Sequence, residues 1–258
     1  MFKKLRILFA LLVLFFVAFS TWLTSLRLGS WTDTLDVYVY PINADGSQRT
    51  QRYIDSLNDR RFGDIERFMA RQARQYLDLQ EKPFTISLSP QVYDKPPVPS
   101  ANTSVPAAML LSMKLRFWAW THNSDPRPEP DIRIYTLFYD PASINRLPHS
   151  IGLSKGQIGV VHAFANSSYK KSNNIVIAHE LMHTLGATDK YDLQTTVPVY
   201  PLGYAEPDKI PLYPQRQAEL MGGRIPVSTS QTVMPRSFSD VVIGAATARE
   251  IAWLKNKP

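Results

Sequence analysis

The order of apolar and polar positions predicts strands that alternate with helices along most of the chain. Alternation of apolar and polar residues is typical of strands, and apolar positions three to four residues apart are typical of amphipathic helices. The predicted strands are, by residue number, 35–40, 84–88, 132–139 and 157–165. The predicted helices are 49–79 with a break near Gly63, 107–120, 174–185 and about 244–255. We therefore expect a mixed α/β sandwich in which a helix follows the last predicted strand.

One of these helices, 107–120, has an ambiguous pattern. Its first half has helical spacing, whereas residues 113–120 also fit the alternation of a strand. The neighbouring strands, 84–88 and 132–139, need a crossover connection if they are to lie parallel in one sheet. We therefore predict a helix for this segment.

Residues 7–26 depart from this pattern because they form an almost uninterrupted apolar run. About twenty apolar residues are enough for a helix to cross a bilayer. Three basic residues precede the run and only Arg27 follows it closely, which favours a cytoplasmic N-terminus. The sequence predicts a cytoplasmic basic stub (1–6), a transmembrane signal anchor in the lipid bilayer (7–26) and one extracytoplasmic domain, periplasmic or extracellular (31–258). The alternative is secretion after cleavage of a signal peptide.

The charge and composition of the chain narrow the possible partners and ligands. The formal net charge is +7, from 29 basic and 22 acidic residues. Four of the basic residues flank the apolar run, which leaves 25 basic against 22 acidic residues in the rest of the chain. This near balance argues against a nucleic-acid partner. The absence of cysteine excludes thiolate ligands for a metal.

The strongest chemical signal is the stretch HELMHTLGATD, which runs from His179 to Asp189. Positions i and i+4 of a helix lie on one face, so His179 and His183 can bind one metal ion together. Glu180 would then lie beside the metal, where it can take a proton from a bound water. Gly186 permits a sharp turn after the helix, so that Asp189 can return as a third ligand; the alternative is that Asp189 only caps the chain. This layout is typical of a zinc peptidase.

The same stretch resembles the metzincin consensus H-E-x-x-H-x-x-G-x-x-H/D, and the aspartate at its last position is similar to the snapalysin family. The sequence DKYD at Asp189 resembles the D-x-Y that comes after the active-site helix in that family. The sequence AELMGG at 218–223 is similar to its Met-turn. The resemblance implies a metzincin-like α/β (α+β) fold: a twisted mixed sheet packed on helices, with the active-site helix followed by a Met-turn and a C-terminal helix.

The resemblance also implies roles for individual residues. It implies zinc as the cofactor and three zinc ligands: His179, His183 and Asp189. Glu180 would be the general base, and Tyr191 would hydrogen-bond the developing oxyanion. Met221 would lie beneath the metal as the methionine of the Met-turn, for which Met234 is the rival candidate.

Together these features predict a membrane-anchored zinc endopeptidase that acts on protein or peptide substrates. An extended substrate is expected to add to the sheet beside the last predicted strand, at Gly159, Val160 and Val161. His162, the next residue on the same strand, is not expected to be a ligand.

Two alternative functions stay open. In a gluzincin-type peptidase the third ligand would be a downstream glutamate, Glu206 or Glu219, and the spacing of Gly186 and Asp189 argues against this. A non-catalytic, membrane-tethered zinc-binding module would fill all four metal positions with protein ligands. The glutamate at the base position, Glu180, argues against that second alternative.

Overall fold

A five-stranded sheet organises the part of the chain described by the computed structural model, which comprises residues 6, 11–12, 15, 19, 27–78, 81–98, 105–122, 125–154 and 156–254. Its strands are β1 (Leu35–Asn43), β2 (Phe84–Leu88), β3 (Ile132–Tyr139), β4 (Ile151–Leu153) and β5 (Ile158–Phe164). Their order across the sheet is β2-β1-β3-β5-β4. All neighbours are parallel except β4, which pairs antiparallel with β5 and forms one edge.

The helices and the smaller strands of the described residues surround this sheet. The α-helices are α1 (Gln48–Asp55), α2 (Gly63–Ala73), α3 (Val105–Thr121), α4 (Lys170–Thr184) and α5 (Ala245–Glu250). Short 3-10 turns lie at Asp59–Arg61, Ser167–Tyr169 and Phe238–Asp240. Two two-stranded pairs complete the C-terminal part: β6 (Ala218–Glu219) with β9 (Val241–Val242), and β7 (Ile225–Pro226) with β8 (Thr232–Val233).

Both faces of the sheet are buried, as β1 demonstrates. Val37 and Val39 belong to a core that includes residues of α2, α4 and α5. Tyr38 and Tyr40 point to the opposite face and belong to a second core that includes residues of α3. Since successive side chains of a strand alternate between faces, the sheet lies between two helical layers.

Two paired glycines bring α4 close to one end of the sheet. Gly152 on β4 and Gly159 on β5 are partners in the register of these strands. A Cβ atom on Gly152 would lie only 2.3 Å from the Cβ atom of His183 and 2.6 Å from the carbonyl oxygen of Glu180. A Cβ atom on Gly159 would lie 3.8 Å from the Cβ atom of Glu180. The helix that carries the predicted ligands therefore rests directly on this glycine pair.

Several predicted elements are confirmed. The strands at 84–88 and 132–139 have the predicted bounds, and the ambiguous segment 107–120 is helical as part of α3. The predicted helix 49–79 is two helices, α1 and α2, joined through a 3-10 turn. The edge strand β4 was not predicted, because its three residues are too few to establish a period.

The helix α3 is apolar on two sides, which explains its ambiguous pattern. Leu115 and Ala119 are buried against the sheet. Large apolar side chains are also exposed along the rest of the helix: Met109, Leu110, Met113, Phe117 and Trp120. A helix with apolar residues on opposite faces has no clear polar stripe, so its sequence resembles a strand as much as a helix.

The predicted transmembrane helix over residues 7–26 is corrected. No helix among the described residues is long and apolar enough to cross a membrane. Within the segment itself only residues 11–12, 15 and 19 are described, and the rest of the segment lies outside the described residues. The described residues form a mixed α/β fold with a five-stranded sheet. The membrane localisation that depended on this helix is corrected with it.

Candidate metal centre

The helix α4 carries three of the predicted site residues on one turn. His179, Glu180 and His183 bring their ligand atoms within 4.8 Å of one another. Apolar positions of the same helix, such as Ile177 and Leu181, are buried in the core and fix how the helix is rotated about its axis. This rotation directs the two imidazoles to the side of the helix that faces the C-terminal segment.

Each imidazole is oriented by a backbone carbonyl group. The Nδ1 atom of His179 lies 3.0 Å from the carbonyl oxygen of Leu220, and that of His183 lies 2.7 Å from the carbonyl oxygen of Ala187. Because a carbonyl oxygen only accepts hydrogen bonds, Nδ1 must be the donor in both rings. In the neutral rings the lone pairs are therefore on the Nε2 atoms, which is the tautomer needed for metal binding.

The two Nε2 atoms converge on the carboxylate of Asp189. They lie 3.1 Å from each other, and each lies 3.1 Å from Oδ1 of Asp189. In a tetrahedral zinc site with bonds of about 2.0–2.1 Å, the ligand atoms are about 3.3–3.4 Å apart. Three acceptor atoms this close repel one another unless a cation or a proton lies between them. His179, His183 and Asp189 therefore fit one zinc ion.

The carboxylate of Asp189 shows the electrostatic effect of this convergence. Burial by itself would raise the pKa of Asp189, but the two neighbouring imidazoles outweigh burial and lower the pKa well below its usual range. In the same way, burial would lower the pKa of His179, and the hydrogen bond with Asp189 instead raises it to about 8. The site thus favours positive charge beside Asp189, whether that charge is a proton or a metal ion.

The turn that returns Asp189 to the helix has its own supports. Gly186 has a φ of +101°, and the amide of Ala187 donates to the carbonyl of Met182 over 3.1 Å. On the other side of Asp189, the buried ammonium of Lys190 donates to the carboxylate of Glu250 over 2.6 Å. Glu250 also accepts hydrogen bonds from the amide and the hydroxyl of Thr188, which directly precedes Asp189, at 3.0 Å and 2.7 Å. The end of α5 therefore holds the segment that carries the third ligand.

Glu180 is the buried acid of the site. Its Oε2 atom is buried and has no hydrogen-bond partner among the described residues. Burial is the main cause that raises the pKa of Glu180 above its usual value. A buried carboxyl oxygen without a partner is costly, and such groups are typical of functional sites.

The segment around Met221 contacts the imidazole of His179 through its backbone. Met221 is fully buried, and its neighbour Leu220 provides the carbonyl group that binds His179. The carbonyl of Met221 accepts a hydrogen bond from the amide of Lys190 over 2.9 Å. Met234, the rival candidate, is exposed and lines the cavity beside the site. Of the two methionines, Met221 is therefore the one that lies in the segment that contacts a predicted ligand.

Glu219 has no free oxygen with which to bind a metal. Its Oε2 atom accepts hydrogen bonds from the amides of Met221 and Gly222 at 2.7 Å and 2.9 Å. Its Oε1 atom accepts from the amide of Gly244 and the hydroxyl of Thr247 at 3.1 Å and 2.7 Å. This buried carboxylate organises the segment beneath the site, so the gluzincin alternative with Glu219 as ligand is not supported by its contacts.

The second gluzincin candidate is similarly engaged. Glu206 accepts a hydrogen bond from the amide of Arg216 over 3.1 Å through its Oε2 atom. Its own amide and carbonyl groups both bind the side chain of Gln215. Glu206 therefore belongs to a structured part of the connection between α4 and β6.

Tyr191 and His162 lie near the site without joining the group of ligands. The ring of Tyr191 is 6.3 Å from that of His179, and burial, followed by the neighbouring carboxylates, raises its pKa to about 12. The Nδ1 atom of His162 lies 3.0 Å from the hydroxyl of Tyr139, and burial lowers the pKa of this histidine. Tyr191 is therefore a neutral hydroxyl at neutral pH, and His162 is a neutral imidazole bound to a tyrosine.

A cavity of about 320 Å³ adjoins the candidate metal centre. Its lining includes His179, Glu180 and Tyr191 together with mostly apolar residues. The apolar and backbone part of this lining comprises Leu147, Pro148, Ile175, Val176, Leu193, Leu220, Gly222, Gly223 and Met234. The cavity is thus continuous with the metal centre and is suited to a substrate side chain.

The predicted substrate strand at Gly159, Val160 and Val161 is corrected. These residues belong to β5, which has β3 on one side and β4 on the other. Val160, for example, is paired with Tyr135 and with Ile151. Because β4 occupies the second side of β5 at Gly159 and Val160, an extended peptide cannot pair with these two residues, and the open edge on this side of the sheet belongs to β4.

Comparisons with known proteins identify no family for this chain. No protein-family model and no curated protein matches it. A structure solved as a chaperone–substrate complex is similar at 12% sequence identity and a TM-score of 0.42, over 86% of this chain and 35% of that chain. OgpA from Akkermansia muciniphila is similar at 11% identity and a TM-score of 0.35, over 86% of this chain and 62% of that chain. The chain spans less than two-thirds of either neighbour, and neither likeness indicates a metzincin or a function.

Substitution of Gly152 by alanine tests the close contact between β4 and α4. The added Cβ atom would meet His183 and the backbone of Glu180, so the helix or the strand must move. We expect Gly152→Ala to lower the free energy of unfolding by about 1–3 kcal/mol and to weaken zinc binding. Thermal unfolding and competition with a zinc indicator measure the two effects.

Gly29→Ala is the matched control, because a Cβ atom there meets only Ala252 at 3.7 Å, an ordinary contact. It should change neither quantity measurably. Wild-type stability and zinc affinity in Gly152→Ala would contradict the close packing of this helix on the sheet.

Two carboxylate substitutions separate a metal ligand from a structural residue. Asp189→Ala should lose most of the bound zinc, because it removes the oxygen on which both imidazoles converge. Glu219→Gln should keep zinc but lower the free energy of unfolding by about 1–3 kcal/mol, since its amide group cannot accept from all four donors. Zinc content by mass spectrometry and thermal unfolding give the two readouts. Loss of zinc from folded Glu219→Gln with retention in Asp189→Ala would reverse the assignment.

Proposed function

We propose that this protein is a zinc-dependent endopeptidase with a metzincin-type, snapalysin-like site, which hydrolyses peptide bonds in protein or peptide substrates. The observation that carries the proposal is the convergence of two Nε2 atoms and one carboxylate oxygen at mutual distances of 3.1 Å. The carbonyl groups that bind both Nδ1 atoms support it, because they leave the ligand nitrogens free for a metal. The buried carboxyl beside them supports catalysis rather than metal storage.

His179, His183 and Asp189 would hold the metal in this proposal. When bound, zinc would lower the pKa of a coordinated water to about 7 and polarise the scissile carbonyl. Three protein ligands leave a fourth position for water or substrate, as catalytic zinc sites do. His179 and Glu180 line the cavity, through which water and substrate would reach the site.

Glu180 would act as the general base and then as the general acid. It would accept a proton from the attacking water and donate that proton to the leaving amine. Its Oε2 atom has no competing hydrogen bond among the described residues, and burial raises its pKa. The carboxyl group would hold the proton between the two transfers, so the same residue can serve in both.

Tyr191 would stabilise the oxygen that becomes negative during the attack. Its hydroxyl stays protonated at neutral pH, because its pKa is raised to about 12. A neutral hydroxyl can donate a hydrogen bond to an oxyanion, and such a donor contributes to the rate when it is in place before the reaction. The ring of Tyr191 is 6.3 Å from that of His179, and both residues line the cavity in which the substrate would bind.

The open edge of β4 is the place where an extended substrate would bind. β4 is the last strand of the sheet on the side of the site, and residues 147–150, which lead into it, line the cavity. A peptide that adds to a sheet edge is held by its main chain, while its side chains enter neighbouring pockets. A substrate bound there would pass in front of the metal ligands.

Substitution of Glu180 tests the proposed function. Glu180→Gln should keep zinc and the fold but lower kcat/KM for an unfolded protein substrate by about 10²–10⁴-fold, because the proton acceptor is lost. The measurements are zinc content, thermal unfolding and cleavage rate, with a chelator and zinc add-back as further controls. Glu129→Gln is the matched control, since that side chain is exposed and its one ion pair among the described residues is with Arg133.

Unchanged cleavage by zinc-loaded Glu180→Gln would refute the mechanism. A folded, zinc-loaded wild-type chain that cleaves no unfolded protein or peptide would refute the peptidase itself. The non-catalytic zinc-binding module would then be the better hypothesis.

A further inference from the structure

Within the part of the chain that the structure describes, a partly buried arginine has no partner and lines the cavity of the proposed peptidase. Arg224 is partly buried and lines the same cavity as His179 and Glu180. Among the described residues, no oxygen accepts a hydrogen bond from its guanidinium group and no carboxylate pairs with it. By contrast, Arg133, which is also partly buried, binds the carboxylate of Glu129, and the more exposed Arg127 binds that of Asp125. A partly buried charge without a partner is unfavourable unless something else binds it.

The backbone that presents Arg224 is firmly held. The amides of Gly222 and Gly223 both donate to the carbonyl of Glu219 over 3.0 Å. Gly223 has a φ of +72°, which turns the chain directly before the arginine. Directly after it, Ile225 is buried and pairs with Val233 in the β7–β8 hairpin. The backbone on both sides of Arg224 is therefore fixed, and its side chain lines the cavity beside the candidate metal centre.

The other residues of the cavity leave the charge of Arg224 without compensation. Of the described residues that line the cavity, Glu180 alone carries a carboxylate, and it is the proposed base on the ligand helix. The remaining titratable groups of the lining are histidines and a tyrosine: His149, His162, His179 and Tyr191. Most of the other lining residues are apolar, and an ion pair in such surroundings is stronger than one in open water. The guanidinium group of Arg224 can therefore bind a negatively charged group that enters the cavity.

We propose that Arg224 binds a carboxylate of the peptide substrate beside the scissile bond. The enzyme would then prefer substrates with an acidic side chain or a free C-terminus at that position. This inference rests on the proposed peptidase function. The chemistry is that of an arginine fork, in which two N–H groups donate to the two oxygens of one carboxylate. An acidic side chain and a free C-terminus both provide such a carboxylate.

Cleavage of matched peptides tests the proposal. One set carries Glu or its neutral isostere Gln at each position in turn around the scissile bond, with both ends blocked. A second set has a free or an amidated C-terminus close to the scissile bond. We expect the full-length zinc-loaded protein to show a ten- to hundredfold higher kcat/KM for the carboxylate at one position. Preference within the first set indicates an acidic side chain, and preference within the second indicates a chain terminus.

Variants of Arg224 connect the preference to this residue. Arg224→Gln should lower kcat/KM for the preferred peptide by ten- to hundredfold and largely remove its advantage over the neutral isostere. Arg224→Lys should keep part of the preference, because the charge remains while the paired N–H geometry is lost. Arg216→Gln is the matched control, since Arg216 is exposed and does not line the cavity, and it should leave the ratio unchanged.

Peptide binding to zinc-loaded Glu180→Gln separates failure of this inference from failure of the peptidase. Tighter binding of the carboxylate peptide that depends on Arg224 supports the inference even if nothing is cleaved. Equal binding and cleavage of acidic and neutral peptides would overturn it and leave the peptidase intact. A preference that persists in folded Arg224→Gln would also overturn it.

Discussion

The orientation of two imidazole rings by backbone carbonyl groups is the interaction on which the rest of the site depends. A histidine on a helix can rotate about two bonds, so the sequence spacing alone does not bring its Nε2 atom to a common point. The carbonyls of Leu220 and Ala187 bind the two Nδ1 atoms and thereby set both the ring orientation and the tautomer. With both rings held in this way, the two Nε2 atoms lie 3.1 Å from each other, and each lies 3.1 Å from Oδ1 of Asp189.

The segments that contain these carbonyls are themselves held by two carboxylates, of which Glu219 is buried. Glu219 accepts four hydrogen bonds and so organises the chain on both sides of Leu220. Glu250 binds Lys190 and holds the turn that contains Asp189. A buried carboxylate that accepts hydrogen bonds from several groups holds those groups in place. A buried group left without its hydrogen-bond partner lowers the free energy of unfolding. The precision of the site therefore depends on residues that never touch the metal position.

The agreement between sequence and structure was best where a pattern is local. The strands at 84–88 and 132–139 were predicted with their observed bounds, because bounding turns and alternation are visible within one segment. The segment 107–120 was harder, since α3 has apolar residues on its exposed side as well as its buried side. The substrate strand was misplaced because strand order is not local. Nothing within 157–165 indicates that a three-residue strand, β4, covers its edge.

The sequence by itself determined that His179, Glu180 and His183 are neighbours, because helical geometry places residues four apart on one face and Glu180 directly follows His179. Only the tertiary structure decided how these residues are supported. The pairing of Gly152 with Gly159 beneath α4, the carbonyl of Leu220 and the unpaired charge of Arg224 all come from distant parts of the chain. The physical reason is that contacts between distant segments depend on how helices pack on the sheet, which no short stretch of sequence specifies.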